Sequence, residues 1–307
     1  VERVIKNTFR VFSNLCGRHK IDSKFLFGQS AILSSRANSM HFKNLWDAEV
    51  KIYSQFGEDG ILDFLCEKIN LSKPKIFEIG AGNFQECNSR WLAENRNASV
   101  FAVDGREDLD EKIINSELRW KNHLFSKQIW VTPDNIQSLL IEATDAMGNI
   151  DIFSIDLDGN DYWILEKTPL DDVKICILEY NPLFGSSLEV TVPRDDQFNR
   201  STKHFSWLYF GASLKAYISL MSSKGFTFVG TNRVGNNAFF LKNELSNRIQ
   251  LEPIVDLSPY TDWRIRESRS KNGGLSFLSG NERIAAIMDE QLLDLQSEQI
   301  TNVGDCI

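Results

Sequence analysis

The sequence has no apolar run approaching the roughly eighteen residues that span a membrane, and its greasiest stretches, 150–155 and 175–178, are of strand length. It has no CxxC pair. Its five cysteines, Cys16, Cys66, Cys87, Cys176 and Cys306, are odd in number and widely spaced. That argues against a zinc site or a thioredoxin-type centre and for the reduced thiols of a cytoplasmic protein. There is no Lys/Arg block: 34 basic against 42 acidic residues leave a net charge of −8. Such a balance argues against nucleic acid held by phosphate neutralisation and against docking on an anionic membrane, though a local basic patch is compatible with it. The chain starts with neither methionine nor the apolar core of a signal peptide, so the expectation is a product trimmed or excised from a longer one. Asn-x-Ser/Thr matches at Asn70, Asn97 and Asn199 have no other sign of secretion beside them.

What is present is ordinary globular composition, 42% apolar and 25% charged over 307 residues, enough for one full α/β core with appendages. Short apolar runs at 75–79, 99–104, 128–132, 150–156 and 173–179 alternate with helix-sized segments at 86–94, 108–118, 134–146 and 161–166. Five such strands predict a parallel sheet, and their richness in Ile, Val and Phe predicts cover on both faces. A helical stripe of Leu214, Tyr217, Ile218 and Met221 ends at Gly225. Two strands at 226–230 and 237–241 then read as an antiparallel hairpin. The expected fold is therefore α/β: a Rossmann-like, seven-stranded, mostly parallel sheet with a terminal hairpin and helices on both faces. The expected organisation is an N-terminal extension, 1–46, with a helix near 3–15 and a linker at 34–39, then a main domain, 47–250. A C-terminal extension, 251–307, carries an Arg/Ser/Gly-rich loop and a helix over 282–295.

The strongest local signal runs from Phe77 through Glu78, Gly80, Gly82 and Asn83, a strand that ends in an acid and enters a two-glycine turn. Glycines there let the backbone approach a nucleotide. A nicotinamide site wants a third glycine where Gln85 stands, and a P-loop wants a Lys-Ser/Thr pair that is missing. Asp104, ending the next strand, suits a ribose diol, which donates two hydroxyl hydrogens to one carboxylate. Glu78 adds negative charge, and an acidic crevice suits the sulfonium and ammonium of S-adenosylmethionine better than a pyrophosphate.

The stretch from Phe77 to Asn83 with Asp104 resembles the first two motifs of class I S-adenosylmethionine-dependent methyltransferases. Together with 53–61 and 155–161, it resembles their FkbM-like branch over about residues 47–245. The resemblance implies the seven-stranded sheet and transfer of a methyl group to a hydroxyl of a sugar, a glycan or another polar metabolite. It also implies that Gln55 and Glu58, in a segment lying over the cofactor, bond its amino acid part. The missing methionine and the extensions at both ends fit a domain cut from a larger glycan-assembly protein, so association with a larger biosynthetic protein is an expectation. The departure from the class is Phe84, where it often has glycine, which predicts a wider loop.

A second constellation is Asp156, Asp158 and Asp161 after the fourth strand, at the edge where open α/β sheets bind ligands. Asp156 would also face the cofactor. Asp156, Glu179 and Asn181 are candidate ligands for Mg²⁺, which favours oxygen donors. The acceptor hydroxyl needs a base, and His204, Asp156 and Asp158 are the candidates. Arg264, Arg266 and Arg269 form either a grip for an acidic acceptor or a solvated loop. Two competing functions are a nicotinamide-dependent sugar epimerase or dehydrogenase, and a non-catalytic methyltransferase-like binding module.

Overall fold

The computed structural model describes residues 28, 29, 31, 32, 35, 40–115 and 118–307. The helix expected near 3–15, and all of the expected linker except Ser35, lie outside the described residues. Seven strands form the central sheet: β1 (Lys75–Ile79), β2 (Ser99–Asp104), β3 (Leu124–Gln128), β4 (Ile152–Ile155), β5 (Ile175–Glu179), β7 (Phe226–Thr231) and β8 (Asn237–Lys242). Their spatial order is β3-β2-β1-β4-β5-β8-β7. The first five are parallel, and β8 runs antiparallel to both neighbours. This is the Rossmann-like sheet with a terminal hairpin that the sequence predicts.

Alternate residues of each strand serve opposite faces because the side-chain period is two. Phe77, Ile79, Phe153 and Leu178 enter one core with α4 (Ile136–Met147), α5 (Asp161–Lys167) and α7 (Leu214–Ser223). Ile76, Ile152 and Ile177 enter the other with α1 (Glu58–Lys68), α2 (Arg90–Arg96) and α3 (Leu109–Ile114). No helix among the described residues is long and apolar enough to cross a membrane.

Two expectations are corrected. The third strand is Leu124–Gln128 and not 128–132. Its half-exposed Ser126 and Lys127 hide it from a search for greasy runs, whereas Ile129, Trp130 and Val131 form the connection that follows it. The helix expected over 282–295 is a short α8 (Asn281–Ala286) followed by a strand, β9 (Gln291–Asp294). Short apolar runs fit both periods, and here strand partners on both sides decide. β9 pairs with β10 (Gln299–Asn302) and with β6 (Val190–Thr191), a strand in the connection from β5 to α7. Phe184, Val190 and Phe210 of that connection share a third apolar core with Trp263, Leu292 and Val303 of the C-terminal segment. The two segments thus make one cap.

The strand order reverses between β1 and β4, which opens a crevice at the carboxyl ends of these strands. Asn237 pairs with Glu179, so the turn from β7 to β8 reaches the same edge.

Candidate active site

The loop after β1 is tied down from three directions. Gly80 has φ +85, and a Cβ there would lie 1.7 Å from the Asp156 carbonyl oxygen, so only glycine lets the β1 and β4 exits approach this closely. Gly82 has φ +57, and a Cβ there would meet nothing within 4 Å. Its N–H donates to Asp104 Oδ2 at 2.7 Å, and Asp104 Oδ1 accepts from Arg106 N at 2.8 Å. Asp104 therefore joins the end of β2 to the glycine loop, and burial raises its carboxyl above the ordinary range. Phe84 takes φ +61 with its ring buried, so the tight turn persists without a third glycine, at a cost of about 1–2 kcal/mol. Asn83 accepts from Gln85 N at 3.2 Å.

Glu78 is almost fully buried and accepts from Asn88 N at 2.8 Å, Ser89 N at 3.1 Å and the Ser89 hydroxyl. Burial raises its pKa against these bonds. Its carboxylate is already engaged in holding the far end of the loop, residues 88–89. The motif signalled the acid; Ser89, its partner, went unread.

Across the crevice, carboxylate oxygens of Asp156, Asp158 and Glu179 lie within 4.8 Å of one another. Glu179 is 7% exposed, and its Oε2 has no hydrogen-bond partner among the described residues. Burial pushes both Asp156 and Glu179 well above the carboxylate range, and nearby charge adds to it: Asp158 and Asp161 act on Asp156, and Asp156 and Asp158 on Glu179. The compensating cation is Arg200, which sequence reasoning missed. It pairs with Asp158 and donates through Nε to the Trp207 carbonyl at 2.6 Å. Both partners sit at left-handed backbone, Asp158 at φ +57 and Trp207 at φ +61, conformations that persist in side-chain-bearing residues only when the surroundings hold them. Asp161 accepts from Leu157 N at 2.7 Å and Gly159 N at 2.8 Å, and burial lifts it to about 6. It shapes the turn that presents Asp158.

The remaining predicted residues lie elsewhere. Asn181 is fully buried, and its amide donates to the carbonyls of Leu208 and Phe210, both at 3.0 Å, while Oδ1 accepts from Leu183 N. It holds the cap and does not join the acid cluster; Asp158 stands there instead. His204 Nδ1 meets Ser206 Oγ at 2.7 Å and Nε2 lies 4.0 Å from Glu290, so its contacts are with the cap. Burial lowers its pKa. Glu58 is buried and accepts from Asn232 Nδ2 at 2.6 Å and Asn237 Nδ2 at 3.0 Å, which binds the start of α1 to the β7–β8 turn. Gln55, beside it, is exposed.

No protein-family model matches the chain, and no curated protein matches it. Solved structures do. TrmK of M. capricolum in complex with S-adenosyl-homocysteine is 13% identical over 73% of this chain and 80% of that one, with a TM-score of 0.35. The Methanococcus jannaschii fibrillarin pre-rRNA processing protein is 12% identical over 67% and 86%, at 0.38. An O-methyltransferase family 2 protein from Planctomyces limnophilus, in complex with apigenin, is 14% identical over 72% and 61%, at 0.34. At these identities the likeness is one of fold alone.

Proposed function

We propose that the chain is an S-adenosylmethionine-dependent O-methyltransferase, with 47–250 as its catalytic unit and a hydroxyl of a sugar or other polar metabolite as acceptor. The observation that carries this reading is the acidity of the strand ends at the crevice where the strand order reverses: Asp104 at the N–H of the bare Gly82, and the cluster of Asp156, Asp158 and Glu179 after β4 and β5. A cationic ligand answers both the open side of Gly82 and the unpartnered Glu179 Oε2. When bound, S-adenosylmethionine supplies an electrophilic methyl group on a positively charged sulfur. The sugar preference and the FkbM-like branch rest on the motif resemblance. The free thiols of Cys66, Cys87, Cys176 and Cys306 suit a cytoplasmic setting.

In this reading Asp104 accepts the ribose hydroxyls with the lone pairs that Gly82 and Arg106 leave free. Gly82 and Asn83 line the crevice, and Glu78 acts through the loop it holds. Asp156 takes the proton of the acceptor hydroxyl, leaving its oxygen nucleophilic; burial and then the charges of Asp158 and Asp161 make it a stronger base than an ordinary carboxylate. His204, held in the cap, serves the acceptor side. Arg200 supplies the positive charge that Mg²⁺ would bring to these acids, and Asn181 is turned to other partners, so no step is derived through a metal.

Isothermal titration tests the reading. S-adenosylhomocysteine is expected to bind and NAD⁺ not to, and Asp104→Ala to weaken the former at least about tenfold, or about 1.4 kcal/mol. Binding of NAD⁺ in place of the adenosyl compound would make the nicotinamide alternative the better one.

A further inference from the structure

The arginine-rich segment after Trp263 is not a loose loop. Arg283 is 4% exposed and donates to the carbonyls of Trp263, Ile265 and Leu278, pinning the segment at three points. Arg269 N donates to the Ser206 carbonyl at 3.0 Å, which seats the segment on the strip from His204 to Trp207. There the Arg269 guanidinium lies 4.5 Å over the Trp207 ring and Lys271 Nζ 5.6 Å over Phe205. Trp207 is the strained residue whose carbonyl Arg200 holds, and Arg200 reaches Asp158 with its other end. Glu267 pairs with Arg269 at 2.9 Å and is also among the charges that act on Arg200. One arginine side chain therefore separates this aromatic strip from the acids of the crevice.

The charge balance differs between the two arginines. Arg200 answers Asp158 and Glu179. Between 262 and 271, by contrast, Arg264 pairs with Asp262 at 3.5 Å, while Arg266, Arg269 and Lys271 have one further acid beside them in the segment, Glu267, which engages Arg269 through Nη2. Arg269 Nε has no hydrogen-bond partner among the described residues. That nitrogen is buried, but the Arg269 guanidinium is partly exposed and lies beside the exposed Lys271, a pair of cations suited to phosphate or carboxylate, and the indole and phenyl rings are suited to the C–H face of a ring.

We propose that Trp207, Phe205, Arg269 and Lys271 form the acceptor subsite, and that the methyl acceptor is a ring compound carrying a phosphate or carboxylate. This rests on the methyltransferase reading for the word acceptor, but the anion preference is measurable without it. Titrations of glucose 6-phosphate, glucuronate and glucose, with and without S-adenosylhomocysteine, provide the test. At least one anionic sugar should bind at least tenfold tighter than glucose, and the stronger of the two identifies the group. The preference should vanish in Arg269→Gln/Lys271→Gln, and should fall in Lys271→Glu, whose exposed side chain leaves the packing intact. Equal binding of all three sugars, an unchanged preference in Lys271→Glu, or tighter binding of a single-stranded oligoribonucleotide than of either anionic sugar would overturn the proposal. Anion preference without any binding of S-adenosylhomocysteine would leave the subsite standing and remove the methyltransferase reading.

Discussion

Glu179→Gln should melt higher than the wild type at pH 8 and turn over more slowly. The carboxylate of Glu179 is buried, crowded by Asp156 and Asp158, and unpartnered at Oε2. A glutamine of the same shape removes one charge and offers an N–H to Asp156, worth about 1–3 kcal/mol when an unsatisfied buried group is relieved. For a chain of this size that is a rise of a few degrees, on the order of 2 °C or more. The pH dependence follows from the direction of the shifts. Both acids are raised in the folded state, so between their unfolded and folded pKa values the native protein holds protons that the unfolded chain has released. Wild-type stability therefore falls as pH rises through that window. The advantage of Glu179→Gln should grow as the pH rises above the unfolded pKa of about 4.3 and disappear below about pH 3, where the glutamic acid is neutral in both states. Turnover should drop about 10–100-fold at neutral pH, because the glutamine N–H stabilises the Asp156 carboxylate and makes it a weaker base. A variant that melts lower than wild type at pH 8 would mean that a cation normally neutralises the cluster. Added Mg²⁺ should then raise the wild-type melting temperature and not that of the variant.

The strands at 75–79 and 99–104 are legible to the residue because they lie buried between two helical layers, and burial on both faces writes itself as an unbroken apolar run. β3, at the sheet edge, carries Ser126 and Lys127 and gives no such run. The site was legible where chemistry is local: the glycine turn, Asp104 and the Asp156–Asp158 pair all come from contiguous motifs. It was illegible where a partner is distant. Arg200 meets Asp158 across 42 positions, and Glu58 meets Asn232 across 174. Nothing in the segment around Glu58 says that its carboxylate is satisfied by a hairpin near the other end of the domain. The cap was missed for the same reason, since β9 and its hairpin partner β10 join the rest of the chain through Val190 and Thr191, about a hundred positions away.

Two alanine substitutions two residues apart should part company sharply. In Gly80→Ala the new methyl would be 1.7 Å from the Asp156 carbonyl oxygen. Both groups are backbone, held by the pairing of β1 with β4, so neither can yield without breaking the ladder. The φ of +85 adds strain, and the loss should reach about 3 kcal/mol or more, large enough to prevent accumulation of folded protein. In Gly82→Ala the φ of +57 lies in the left-handed well that other residues enter at about 1–2 kcal/mol, and the methyl meets nothing within 4 Å. That variant should fold and melt a few degrees lower, with the N–H to Asp104 intact. Its methyl occupies the open side of the crevice, so S-adenosylhomocysteine affinity should fall about tenfold, or about 1.4 kcal/mol. Circular dichroism melts of the two proteins measure the first effect and titration of Gly82→Ala the second. Equal melting temperatures would show that the β1 and β4 exits do not meet this closely. Undiminished binding by Gly82→Ala would move the cofactor away from the glycine loop and, with it, the role given to Asp104.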